Sequence, residues 1–412
     1  MNWADTPEQA EFRAQVRQFI AEEFPPEYRP DTEAEQSLEP EDVLGYNWPA
    51  DRNSADPSRA EGARKWAAAL TAKGWITPGW PAELGGAGLS VLDEFILSEE
   101  MMRAGVPTVG SIGAFLLGPT LMAHGTDEQK REHLPPIARG ERTWAQGFSE
   151  PGSGSDLASL RTKAVRDGDA YLVNGQKVWT SLGTHADWLF VLVRTDPAAE
   201  KPHRGITFLL VDVTTPGVTI RPITDIRGDQ PFAEVFFDDA RIPVTNRVGE
   251  ENRGWYVAMD ALSFERAGIG ATIKYEQALR RLVSYVASEE GRRYLRPDFA
   301  AGGRREVARR YTEMRVLYNL ARLTVSKQAA GEVPGYEASV NQLFSAELHQ
   351  RLARTGARVF GRHAGLWQRA DAPLGAVFTH QRMDAVAATF LGGTAEIQRN
   401  VIATRGLGLP RS

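Results

Sequence analysis

The chain has 412 residues and a net charge of -5; 25% of the residues are charged, 42% are hydrophobic, and cysteine is absent. That composition fits a soluble globular protein of two or three domains. It excludes disulfides, thiolate nucleophiles and Cys-ligated metals, and the acidic balance argues against non-specific nucleic-acid binding.

The N-terminus, MNWADTPEQAEF, is acidic and has no basic segment ahead of an apolar core, so no secretory signal is expected. No run of about 18 apolar residues occurs, so no membrane span is expected. The absence of cysteine fits a cytoplasmic location.

The first predicted element is a helix over TPEQAEFRAQVRQFIAEEF. Thr6 is its cap, Pro7 its first residue, and Phe12, Val16, Phe19 and Ile20 recur at helical spacing. An acidic, proline-rich stretch over about residues 25–57 reads as a long surface loop, with a lid or a subunit contact as alternatives. SRAEGARKWAAALTAKGW is a second helix, ending at Lys73-Gly74. SVLDEFILSEEMMRAG is a third, capped by Ser90.

Strand texture begins near Trp144. DAYLVNGQKVWTSLG places Asn174-Gly175 between strand-like runs, a hairpin signal. DWLFVLVRT, GITFLLVDV, GVTIRPI and AEVFFDDARIP follow at short intervals without helices between them. From Gly254 the helical texture returns in three long segments, the first predicted to run unbroken to about Glu290. The pattern predicts a mainly α protein with a β domain. It comprises an N-terminal helical domain (1–143), a central small antiparallel β-barrel or sandwich (144–252) and a C-terminal four-helix bundle (253–412).

Common catalytic signatures are missing: no G-x-S-x-G, P-loop, H-E-x-x-H or G-x-G-x-x-G is present. The seven histidines include no pair four residues apart, so no metal site is expected. The informative stretch is QGFSEPGSGSDLASLRTKAV. Small residues alternate with Ser149, Ser153 and Ser155, a pattern that presents backbone N–H groups and hydroxyls to an anion. A plain Ser/Gly surface loop is the alternative. Further on, Trp179 precedes Thr180 and Ser181, an indole and two hydroxyls suited to a flat, polar-rimmed heterocycle; taken alone, Trp179 reads as core.

FSEPGSGSD, VNGQKVWTSLGTHADWLFVLVRTD and GGTAEIQRNVIATRGLGLP together resemble the acyl-CoA dehydrogenase family of flavoproteins, over almost the whole chain. The resemblance implies the helix–sheet–helix fold, an FAD cofactor and α,β-dehydrogenation of an acyl-CoA. It implies a homotetramer or homodimer, with electron-transfer flavoprotein as acceptor. The loop from Gln146 through Phe148, Ser149 and Gly154 to Ser155 matches the segment that wraps the flavin, and Ser155 also matches a CoA contact. Trp179, Thr180 and Ser181 match residues bordering the isoalloxazine ring. Thr394 and Glu396 match the turn over its ribityl chain and diphosphate. Arg292 or Arg293, with Phe360 and Gly361, matches contacts to a neighbouring subunit's flavin, although the usual Phe-Gly after the first long helix is missing and Arg358 stands in place of Gln.

In much of this family a glutamate precedes the C-terminal Gly-Thr and removes the substrate's Cα proton. Gly392 occupies that position here. The family's isovaleryl- and long-chain-type branch carries the base on the first helix after the sheet, which matches Glu265, followed by Arg266 near CoA. Ala261, Leu262, Gly268 and Ile269 share a helical face with Glu265, an apolar setting that raises a carboxyl pKa. The backbone of Gly392 and Gly393 is left to approach the thioester. Readings with the same fold and other chemistry are a reduced-flavin monooxygenase, an acyl-CoA oxidase, and a catalytically silent or DNA-associated flavoprotein.

Overall fold

The computed structural model describes residues 4–29, 47–110, 112–264, 270–296, 299–332 and 334–410. Helices α1 (Pro7–Glu23), α2 (Trp48–Asp51), α3 (Pro57–Ala72), α4 (Val91–Ala104), α5 (Gly118–His124) and α6 (Asp127–Ala138) precede the strands. The strands are β1 (Trp144–Gly147), β2 (Lys163–Asp167), β3 (Ala170–Ser181), β4 (Trp188–Arg194), β5 (Ile206–Asp212), β6 (Val218–Ile223), β7 (Phe232–Pro243) and β8 (Arg247–Val248). Then come α7 (Gly254–Phe264), α8 (Gly270–Ala287), α9 (Glu289–Tyr294), α10 (Phe299–Ala329), α11 (Tyr336–Phe360), α12 (Val377–Ala387) and α13 (Ala395–Val401). The helices–sheet–helices order is the one the sequence predicts.

These elements form two compact units. Residues 48–89 and 108–265 make one; residues 1–47, 90–107 and 266–412 make the other. In the first, the sheet runs β6-β7-β3-β2-β4-β5-β8, with β1 beside β4. It does not close into a barrel, and β1–β4 and β2–β4 pair in parallel where an all-antiparallel sheet was expected. Alternation along β4 and β5 supplies two cores. Phe190, Leu192, Phe208 and Leu210 pack with α5, α6 and α7. Leu189, Val191, Leu209 and Val211 pack with Val235 and Phe237 of β7 and Val173 of β3. The sheet thus covers itself on one face and is covered by helices on the other.

Asn174-Gly175 does not turn a hairpin. β3 runs straight through it and the register with β7 shifts between Val173 and Gly175. Asn174 and Asp239 exchange two hydrogen bonds of 2.9 Å across this bulge. Non-local pairing to β7 overrides the local turn signal.

In the second unit α1 starts as predicted, with a capping box between Thr6 and Gln9 and Pro7 in the first turn. It packs on α4, where Arg13 bridges Glu99 and Glu100, at 3.0 and 2.5 Å. α8, α10, α11 and α12 share one core that includes Leu279, Leu317, Leu352 and Phe378. The long helix predicted from Gly254 is described as two, α7 and α8. The acidic loop is described only at its ends, where buried Tyr28 and Trp48 lie in short helical turns.

Candidate functional site

The first unit assembles one site. β1 ends at Gly147, and Phe148 then seats its ring 5.8 Å from Phe190 and 6.0 Å from Phe208. That anchor fixes the start of the small-residue loop. Glu150 and Ser153 close a tight turn through paired backbone hydrogen bonds of 2.8 and 3.0 Å. Beyond the turn, Gly154 and Ser155 are exposed, and a Cβ added at Gly152 or Gly154 would meet no atom within 4 Å. A pocket of about 320 Å3 opens beside the turn, between Gly152, Arg161 and Gly175.

The loop is bound to β3. The Val178 amide donates to the Ser149 carbonyl at 2.9 Å. One residue later the strand bulges, since its register against β7 shifts between Lys177 and Thr180. Trp179 sits there at φ 60°, a left-handed conformation that costs about 1–2 kcal/mol for a side chain of this kind. Its indole is 57% exposed, so it is not core. Thr180 is fully buried, and its hydroxyl has no hydrogen-bond partner among the described residues. Ser181 is half-buried and Gln146 lies on β1.

Beneath the loop lies a pair that the sequence reading did not single out. Lys177 is wholly buried; its Nζ donates to Glu150 Oε1 at 2.7 Å and to the Phe148 carbonyl at 3.2 Å. Glu150 also accepts from the backbone amides of Arg161 and Thr162, at 2.6 and 2.8 Å. Burial pulls Lys177 down to about 8 against the attraction of Glu150. Burial works to raise Glu150, but Lys177 and the donated hydrogen bonds outweigh it and hold the carboxyl below its usual range. The signal was present: a lysine at an inward strand position implies a buried partner.

The second unit holds Thr394, Glu396 and the glycine pair in one group and Arg292, Phe360 and Gly361 in another. Gly392 and Gly393, at φ 62° and 95°, form the turn before Thr394, whose hydroxyl accepts from the Ile397 amide at 3.2 Å and caps α13. Gln398 donates to the carbonyls of Gly392 and Gly393 at 3.1 and 3.4 Å. Glu396 is exposed. The residues leading into this turn, Thr389 and Leu391, are tied to α11 by Gln350 and Gln342. Phe360 and Gly361 lie at the far end of α11, about 15 Å or more away at 1.5 Å per residue. There Phe360 packs 5.8 Å from Tyr285, and the Arg296 amide donates to Val359 at 2.9 Å. Arg292, close by in the chain, donates to the Ala287 carbonyl at 2.9 Å. Glu265, Arg266, Gly268 and Ile269 lie outside the described residues; of their predicted face, Ala261 is buried and Leu262 packs against the same core.

Three family models match in succession: the acyl-CoA dehydrogenase N-terminal domain over residues 6–141, the middle domain over 145–240 and the C-terminal domain over 252–407. The chain belongs to the acyl-CoA dehydrogenase family. A relative from Mycobacterium tuberculosis, acyl-CoA dehydrogenase IpdE1, is 40% identical over 97% of this chain and 98% of its own. Isovaleryl-CoA dehydrogenase of Pongo abelii is 32% identical over 78% of this chain and 76% of its own. Among solved structures, one described as the Tcur3481-Tcur3483 steroid ACAD is 31% identical with a TM-score of 0.82, covering 100% of both chains. The ChsE4-ChsE5 complex from Mycobacterium tuberculosis is 34% identical with a TM-score of 0.80, again covering 100% of both.

As an acyl-CoA dehydrogenase the chain is an oxidoreductase, and the family's cofactor is FAD. The first unit fits that group: it offers an exposed indole, an unpartnered buried hydroxyl at Thr180, and an open glycine-lined loop. Among the described residues no cluster of metal-ligating side chains occurs, and no helix is long and apolar enough to cross a membrane.

Proposed function

We propose that this acyl-CoA dehydrogenase converts a bulky, branched or ring-bearing acyl-CoA to its trans-2-enoyl-CoA, with Glu265 as base. The observation that carries the reading is the Trp179–Thr180 bulge tied to the small-residue loop by the Val178–Ser149 hydrogen bond. Gln146, Phe148, Ser149, Gly154, Ser155, Trp179, Thr180 and Ser181 hold the flavin, with Thr394 and Glu396 at its ribityl side. Arg292, Phe360 and Gly361, remote from Thr394 along α11, serve a neighbouring chain's cofactor.

Bound FAD supplies the acceptor for the Cβ hydride. Glu265 takes the Cα proton as the Cα–Cβ double bond forms. The Gly392 amide donates to the thioester oxygen while charge builds on it, and Ser155, Arg266 and Gly393 hold the CoA portion. Glycine at 392 leaves Glu265 as the family-matched carboxylate. The named substrates of the relatives, isovaleryl-CoA and a steroid, support the bulky acyl group. Electron-transfer flavoprotein is the proposed acceptor.

The test is anaerobic titration of the flavin-loaded protein with isovaleryl-CoA, palmitoyl-CoA and a steroid side-chain CoA thioester. Bleaching of flavin absorbance is expected with at least one, and Glu265→Gln is expected to retain flavin and lose bleaching. Bleaching that survives in Glu265→Gln removes it as base. Reoxidation by O2 as fast as turnover favours the oxidase reading.

A mixed assembly with a second, related chain is the other reading. Val386, Phe390, Leu391, Ile397, Leu407 and Leu409 are 40–70% exposed, an apolar set suited to a subunit contact. Two structural neighbours are described as pairs of different chains. Light scattering of the protein expressed alone, and then with its companion, separates this from a homotetramer.

A further inference from the structure

Between Glu150 and Thr162 the chain of the first unit leaves the sheet in a lobe that carries Gly152, Gly154 and Ser155. One short helical turn, Leu157–Ser159, stiffens it. Its crown is open, since a Cβ added at Gly152 or Gly154 would meet no atom within 4 Å. The crown therefore takes its shape from what grips the two feet, because each residue left unfixed keeps about 1–2 kcal/mol of backbone freedom. Glu150 is one grip: its carboxylate accepts from the amides of Arg161 and Thr162. Arg194, the last residue of β4, is the other.

All three guanidinium nitrogens of Arg194 donate to backbone carbonyls. Nη2 reaches Ala158 at 2.6 Å and Leu160 at 3.2 Å, Nε reaches Leu160 at 3.3 Å, and Nη1 reaches Pro202. The Arg194 amide donates to the Thr162 carbonyl at 2.7 Å. The returning limb of the lobe is thus held on its amides by a carboxylate and on its carbonyls by a guanidinium. Pro202 opens the helical turn Pro202–Gly205 between β4 and β5, so the same side chain fastens that connection to the lobe. No ion pair neutralises Arg194 among the described residues, whereas Glu150 is engaged by Lys177. Burial works against the charge on Arg194, with Glu150 and Asp196 favouring it, and the net shift is downward. Arginine alone among side chains offers donors in a rigid fork that can reach three carbonyls at once.

We propose that Arg194 is a positioning residue for the flavin: by gripping the carbonyls of Ala158, Leu160 and Pro202 it holds Gly154 and Ser155 in the open arch that receives the cofactor. This rests on the reading of the lobe as part of the flavin site. Arg194 acts through the backbone of the lobe and needs no contact with the cofactor. Its contribution is preorganisation: a lobe already fixed loses less freedom when the flavin binds. The role is independent of Glu265 and of the acyl group.

The test dilutes flavin-loaded protein and reads released flavin by its fluorescence, which gives the dissociation constant of the folded protein. Arg194→Lys keeps the charge and loses the fork; it is expected to raise that constant about tenfold or more, as is Arg194→Gln. Amide hydrogen exchange is expected to quicken in residues 151–160 and to stay unchanged along β4 and β5. A lowered melting temperature with an unchanged constant overturns the proposal, as does faster exchange throughout the sheet; both make Arg194 a residue of stability alone. Full affinity in Arg194→Lys with loss in Arg194→Gln also overturns it, by assigning the effect to charge. Failure of both variants to fold overturns it too. Trp179→Gly is the reference. Weakened flavin in Trp179→Gly with none in Arg194→Lys sinks this proposal alone, whereas no change in either removes the flavin-site reading and the proposal with it.

Discussion

Lys177 Nζ lies 2.7 Å from Glu150 Oε1, with the lysine wholly out of solvent and the carboxylate 8% exposed. The pair joins the strand that carries Trp179 to the loop that carries Ser155. Removing one member strands the other charge in the interior, which costs about 3–5 kcal/mol. Lys177→Met is therefore expected to lower stability by about that amount and to release flavin. The double variant Lys177→Met/Glu150→Gln is expected to recover part of the stability. Denaturant unfolding and the flavin-to-protein absorbance ratio check both. Glu150, with its folded pKa lowered, stabilises the fold fully above the ordinary value of 4.5. That contribution fades as pH falls through the lowered value.

Trp179 is exposed and held at positive φ. Trp179→Gly relieves that backbone strain, so stability is expected to stay level or rise by about 1 kcal/mol. Flavin affinity is expected to fall and flavin fluorescence to brighten as the indole is lost. Reduced stability with unchanged flavin binding would instead make Trp179 structural.

His133 and His349 are 2% and 6% exposed, and burial brings each down to about 4, with Arg142 and Lys274 adding to the effect in turn. His133 lies against Trp144 and Trp188, and its Nδ1 accepts from Arg142 at 2.8 Å. Both rings are neutral when folded, whereas the unfolded chain protonates them near 6.5. Stability is thus complete above pH 6.5 and declines toward pH 4, by up to about 3 kcal/mol per histidine. Melting temperature against pH checks this, and His133→Gln is expected to flatten the slope.

Arg13 holds Glu99 and Glu100, both 3% exposed, and also Asp5 at 2.7 Å. Arg103 and Arg17 share the load, at 2.9 Å from Glu99 and 2.6 Å from Glu100. Arg13→Met is expected to cost about 3 kcal/mol. Arg17→Met, at a side chain 63% exposed, is expected to cost under about 1 kcal/mol. Urea unfolding of the two variants separates them.

Features set by neighbours in the chain were readable from the sequence alone. Thr6 and Ser90 cap their helices, and the short apolar runs DWLFVLVRT and GITFLLVDV mark β4 and β5. The Ser/Gly loop and the Trp-Thr-Ser segment carry the family resemblance through residue order, while residue type alone also fits a plain surface loop and a core indole. Contacts between residues distant in the chain were decided only by folding. Asn174-Gly175 has hairpin chemistry, yet pairing with β7, some 60 residues later, makes it a bulge. Trp179 reads as core until that irregular register turns it outward. GGRREVARR reads as a solvated helix face until α11 brings Arg351, Arg354 and Arg358 against it and buries Arg310. The physical reason is the same in each case: a residue's type sets what it can bond, while burial and partners depend on chain segments that only the tertiary fold brings together.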